Sequence, residues 1–114
     1  MMSPYVFAGL LSKDNKLYNE KKLKNSLLIL TSRIFEISED KIMSNKRTRL
    51  YVQARTVISA ILRYKYNMSL INIGYVLGKH HSTIINMLKN HKIDLEYDEV
   101  YRKKSIQIER LHTC

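Results

Sequence analysis

The stretch SLINIGYVLGKHHSTIINMLK, residues 69–89, reads as two short helices joined by a tight turn. Ser69 is placed to cap the first helix, and Leu70, Ile73 and Leu77 fall on one face behind it. Gly78 supplies the cramped or left-handed position at which a helix ends most easily. In the second helix Ile84, Ile85 and Leu88 form the inner face, and its entrance is crowded with Lys79, His80, His81, Ser82 and Thr83. Those polar groups are suited to donating to phosphates or base edges. Two helices, a central glycine and a polar entrance make a helix-turn-helix, although the stretch alone fits any helical hairpin equally well.

The surrounding charge separates the two. The chain has 114 residues and a formal charge of +10, which calls for a polyanionic partner. Residues 1–40 carry six Lys/Arg against five Asp/Glu, and residues 94–114 carry four against five. Residues 41–93 carry ten Lys/Arg and no carboxylate, so the net charge sits in the block that contains the helical pair. A merely solvated face mixes signs, because interspersed pairs help solubility and helix stability.

This length suits one domain with a modest core. One Pro and three Gly leave little to break helices, so an all-α, compact helical domain is expected. The single Cys114 forms no intrachain disulfide, which points to a reducing, cytoplasmic setting. The apolar run 5–11 is too short to span a bilayer and has no basic residues before it. It reads as a helical segment docked on the core, or as a partner-binding motif. No membrane contact is expected.

Residues 12–16 form a polar break, after which a helix is expected over about 19–35, with Leu23, Leu27, Leu30 and Ile34 on one face. Ser38 caps a short turn through Glu39, Asp40 and Lys41, with Ile42 and Met43 tucked onto the core. The basic opening Ser44-Asn45-Lys46-Arg47-Thr48-Arg49 leads into the longest helix, about 47–66. Its buried stripe is Leu50, Ala54, Val57, Ile58, Ile61 and Leu62, with Arg55 and Arg63 off it. Residues 90–98 read as a connection, and 99–111 as a last helix of weaker pattern. The organisation expected is an N-terminal segment 1–18, a core 19–93 and a helical tail 94–114.

From about Lys24 to Lys92 the chain resembles the C-terminal DNA-binding domain of the bacterial replication initiator DnaA. Four matches carry the resemblance: Ser44 to Arg49 for the basic opening, Ala54-Arg55-Thr56, Ile73-Gly74, and Gly78-Lys79-His80-His81-Ser82-Thr83-Ile84. Ile34-Phe35-Glu36-Ile37-Ser38 also resembles the helix before the opening. Order and approximate spacing agree over about 70 residues. The family's Arg-Asp-His at the turn reads Lys79-His80-His81 here, so a forked guanidinium becomes a point charge and an acceptor carboxylate becomes an imidazole. The turn is also one residue shorter before Lys79. No phosphate-binding loop G-x-x-x-x-G-K-[ST] occurs, so the family's ATPase module is absent from this sequence.

The helix-turn-helix reading sends the second helix into the major groove N-terminus first, with His80, His81, Ser82 and Thr83 facing base edges. Replacing the family's Asp there makes that end more positive. The resemblance implies Arg47 in the adjacent minor groove, within a DNA-binding opening that includes Lys46 and Arg49, and places Arg55 and Arg63 against the backbone. The plainer alternatives are a solvated helix start for Arg47 and an intramolecular pair with the acidic terminal segments for Arg55. Asn86 and Lys89 either reach phosphates or are solvated. His80, His81 and His91 do not make a metal site at this spacing, no cofactor is implied, and no catalytic constellation is present. The eight Tyr are scattered and read mostly as core edges.

The leading expectation is a sequence-specific double-stranded DNA-binding protein, not an enzyme, acting in replication initiation or its regulation. Its termini are then contact points for replication or regulatory proteins. The alternatives are a transcriptional regulator with the same helix-turn-helix, a basic adaptor gripping an acidic protein, and a non-specific RNA or nucleoid binder.

Overall fold

The structure, a computed structural model, describes residues 4–112; of the side chains, it describes residue 16 and 18–112. Among the described residues all regular structure is helical: α1 Pro4–Phe35, α2 Glu39–Met43, α3 Arg49–Tyr64, α4 Leu70–Leu77, α5 His81–Tyr97 and α6 Glu99–Leu111. The expected all-α class holds.

α3 is the axis. Its residues 53–62 are all buried, and the other five helices pack round it. Ala54, Val57, Ile58, Ile61 and Leu62 are core residues as the periodicity predicts, but Leu50 is 48% exposed because it precedes the enclosed turns. A helix covered over most of its length must also bury polar groups, and its two buried hydroxyls are satisfied within the helix. Thr56 Oγ1 donates to Val52 O (2.7 Å) and Ser59 Oγ to Arg55 O (2.9 Å).

α1 lacks the expected break at 12–16. Its polar residues there include no Pro or Gly, so nothing interrupts the backbone ladder, and Pro4 sits at the helix start where its missing N–H costs nothing. The expected docking of residues 5–11 concerns side chains outside the described ones. Leu27, Leu28, Thr31 and Phe35 enter the core. Glu36, at φ 57°, ends the helix, with Ile37 N donating to Ser32 O (3.1 Å). Ser38 then caps α2 by accepting from Lys41 N, and buried Ile42 pins that turn to α3.

The connection expected at 90–98 is helix instead. His91 and Leu95 continue the inner face set by Ile84 and Leu88, so α5 runs unbroken to Tyr97. Asp98 alone joins it to α6, and its Oδ1 accepts from Tyr101 N (3.0 Å) to cap the last helix. α6 carries Tyr101 and Ile108 into the core, each almost fully buried. Two Tyr–His bonds pin it down: His91 Nδ1 with Tyr101 Oη (2.5 Å) and His112 Nδ1 with Tyr66 Oη (2.7 Å). No described helix is long and apolar enough to cross a membrane.

Candidate nucleic-acid interface

α4, the turn and α5 form the expected helix-turn-helix. Ser69 Oγ accepts from Asn72 N (3.1 Å), and Ile73, Val76 and Leu77 are buried behind it. Gly78 takes φ 67°, ψ 35°, the left-handed conformation that turns the chain out of α4. Lys79 N then donates to Gly74 O (2.8 Å), closing the turn onto the helix it has left. That approach leaves no room at Gly74, where a Cβ would meet Lys79 O at 2.5 Å. Both glycines favour this turn, Gly78 through its left-handed φ and Gly74 through the close approach of Lys79 O. From behind, Asn72 Nδ2 donates to the Glu20 carboxylate (3.2 Å), which ties α4 to α1.

α5 buries Ile84, Met87 and Leu88 and leaves the other side open. His80, His81, Ser82, Thr83, Asn86 and Lys89 are all exposed, with Ser82, Asn86 and Lys89 at three- and four-residue spacing on the outer face. Ile85 is half-buried beside Leu88 rather than fully inside. His80 caps the helix through Nδ1, which accepts from Ser82 N (3.2 Å). The three histidines do not converge: His80 and His81 lie ring against ring (4.3 Å between centroids), whereas His91 turns inward to Tyr101.

The basic opening lies beside this helix. Lys46, Arg47 and Arg49 are exposed, and Arg47 and Arg49 border a cleft of about 320 Å³ with Val52, Gln53, Thr56, Asn90 and Asp94. On the α5 side this cleft is lined by Asn90 and Asp94, in the later half of the helix. Arg49 is paired across it with Asp98 (3.1 Å), whose Oδ2 also accepts from Gln53 (3.1 Å). The amide of Tyr101, then Gln53 and Arg49, hold the Asp98 carboxyl below its usual pKa, against a smaller opposing effect of burial. The acidic terminal segment therefore does pair with an arginine, but with Arg49 rather than Arg55.

Arg55 is only 5% exposed and faces inward. Its fork donates to two carbonyls of the opening, Nη1 to Ser44 O and Nη2 to Lys46 O. Lys79, from the turn, reaches the same loop and donates to Ser44 O (3.2 Å) and Asn45 Oδ1. Burial pulls the pKa of both cations down, and for Lys79 the neighbouring Arg55 adds to it. Two cations from α3 and the turn thus clamp residues 44–46 and fix the loop that carries Arg47. Arg63 also serves the chain itself, donating to Met68 O (3.1 Å) at the entrance to α4. Asn90, exposed beside this cleft, was not singled out from the sequence, although it follows from extending the outer face of α5 past Lys89. Gln53, buried beneath the cleft, holds Asp98 in place, and nothing local in the sequence marks that role.

A short helix pair closed by glycines, an open polar face on its second helix and a fixed cationic loop beside it define a helix-turn-helix DNA-binding domain. Residues 26–90 match the family described as bacterial dnaA protein helix-turn-helix, and the chain belongs to that family. It is 32% identical over 91 residues to the chromosomal replication initiator protein DnaA of Thermosipho africanus, covering 79% of this chain and 21% of that protein. Against the same-named protein of Mycoplasma pneumoniae it is 30% identical over 91 residues, again 79% and 21%. With that of Thermosipho melanesiensis the identity is 32% over 101 residues, 88% of this chain and 22% of the relative. The chain spans about a fifth of the length of these relatives.

Proposed function

We propose that this chain is a sequence-specific double-stranded DNA-binding module acting in replication initiation or its control, with no nucleotide hydrolysis of its own. The observation that carries the reading is that Lys79, at the entrance to the exposed start of α5, bonds the clamped basic loop at Ser44 and Asn45, inside a stretch without carboxylates. α5 enters the major groove with His80 to Thr83 at base edges, and the Thr83 methyl meets a thymine methyl. Arg47 sits in the neighbouring minor groove, and Lys46, Arg49 and Lys89 approach phosphates. The link to replication rests on kinship with the named initiators, and the absence of a phosphate-binding loop within these 114 residues supports the non-hydrolytic reading.

The test is selection of binders from random duplexes, followed by fluorescence anisotropy at about 0.15 M salt. A shared motif among the selected duplexes is expected. Arg47→Ala and Thr83→Ala should each weaken binding to it by roughly 1–3 kcal/mol, whereas Lys89→Ala mainly lowers the salt slope by about 1. Uniform, steeply salt-dependent binding with no motif leaves only the backbone contribution and sinks the specific reading.

A further inference from the structure

The cap on α5 fixes more than the helix start. His80 has φ −67° and ψ 147°, outside the helix, and its Nδ1 lies 3.2 Å from Ser82 N and 2.8 Å from Ser82 Oγ. An amide N–H only donates, so Nδ1 must present a lone pair to it. A neutral imidazole carries one proton, and that proton then resides on Nε2. The Ser82 hydroxyl fits the same arrangement by donating to Nδ1 as well. His81 stacks on the ring at 4.3 Å, tilted by 32°, and restrains its rotation. His80 is exposed, and Nε2 is the ring nitrogen that the cap does not use.

We infer that His80 is a specificity-determining residue, fixed by its own capping bond as a hydrogen-bond donor that reads an acceptor on a base edge. This rests on the proposed entry of α5 into the major groove. Guanine offers two acceptors there, N7 and O6, while cytosine offers the N4 donor. His80 therefore accepts guanine and rejects cytosine at the position it contacts. The related pattern has Asp at this place in the turn, a group that when ionised only accepts and would pair with a donor rather than an acceptor. The substitution carried by this chain inverts the hydrogen-bond code at one position while keeping a side chain that caps the helix. The two relatives of a single surface thus need not share a target sequence.

The experiment compares the full chain with His80→Asp, which retains a strong N-cap and so should fold. Binders are selected from random duplexes for each, and the four base pairs are then compared by anisotropy at every position of the motif. Wild type should prefer guanine over cytosine at one position by roughly five- to a hundredfold. His80→Asp should reverse that preference there and leave the others unchanged. Identical preferences in both proteins overturn the inference while leaving the proposed function intact. Absence of any motif for wild type overturns both. Imidazole nitrogen NMR on the free protein checks the tautomer without DNA: a protonated Nε2 and bare Nδ1 at His80 are expected, and the opposite tautomer refutes the argument.

Discussion

Replacing Gly74 by Ala tests whether the closeness of the turn to α4 governs DNA recognition. The added Cβ falls 2.5 Å from Lys79 O, with His81 N at 3.4 Å and His80 C at 3.6 Å. The first distance is roughly 1 Å short of ordinary van der Waals separation. All three neighbours are backbone atoms of the turn, so no side-chain rotation relieves the overlap. The turn must move away, and with it goes the 2.8 Å bond from Lys79 N to Gly74 O. Overpacking of this kind costs about 1–3 kcal/mol. Alanine returns about 1 kcal/mol through its better helix propensity. The expected loss is therefore up to about 2 kcal/mol, a fall in melting temperature of several degrees for a chain of this size.

Binding should suffer more than stability. The turn leads directly into His80 and His81, so a shift of that size moves them out of hydrogen-bond range of base edges. With one or two base contacts worth about 1–3 kcal/mol each, specific affinity should drop roughly ten- to a hundredfold or more. Gly78→Ala is the control, because nothing lies within 4 Å of its added Cβ. That variant pays only for its left-handed φ, about 1–2 kcal/mol, and should keep more of its specificity. Thermal denaturation and anisotropy on the selected duplex read both effects. A Gly74→Ala protein that melts at or above wild type and binds equally well would refute the reasoning.

Arg55→Lys retains the charge but not the fork, so a carbonyl of the 44–46 loop loses its donor; stability should fall by about 1–3 kcal/mol. Specific affinity should fall too, with the salt slope unchanged, whereas a slope reduced by about 1 at unaltered stability would show a phosphate contact instead. Asp98→Asn breaks the pair with Arg49 and should raise affinity for any duplex, read as a salt slope steeper by about 1, because Arg49 no longer leaves one anion for another. Burial is the main cause lowering the pKa of both His91 and His112 from the usual 6.5, and in folded protein they stay neutral where the unfolded chain takes up protons. Their contribution is therefore complete above that value and is lost as pH falls from it through the depressed folded values. Melting temperature should decline on acidification below about pH 6.5, and His91→Gln should flatten the decline; a melting temperature that rises on acidification would reverse the assignment.

The helical pair, the caps Ser38 and Ser69 and the αL role of Gly78 were legible because each is a local matter of residue type and spacing. The two breaks misread at 12–16 and 90–98 came from treating polarity as a loop signal. Neither stretch contains Pro or Gly, and in the second His91 and Leu95 keep the register of Ile84 and Leu88. That register was available in the sequence, and it outweighs Asn90, Lys92 and Asp94, which lie off the innermost face. The contact role of Gly74 was not legible at all. It depends on where a carbonyl five residues later returns, which the turn geometry sets.

Charge was the strongest signal in the sequence and the least reliable guide to individual roles. Cations in the basic block divide by what their own chain offers them. Arg55 and Lys79 go to carbonyls and an amide oxygen at 44–46, Arg63 to Met68 O, and Lys65 to the carbonyls of Glu109 and His112. Arg49 goes to Asp98. A carbonyl is invisible to sequence reading because every residue has one, so a cation with no carboxylate nearby looks free when it is not. These groups still contribute to the positive field that draws a polyanion in. Contact is a different matter, since a guanidinium that leaves for a phosphate takes its donors from Lys46 O, leaves Ser44 O to Lys79 and loosens the loop. The energetic division follows from this: Arg55 and Lys79 shape the surface, and Lys46, Arg47 and Lys89 are the groups it presents.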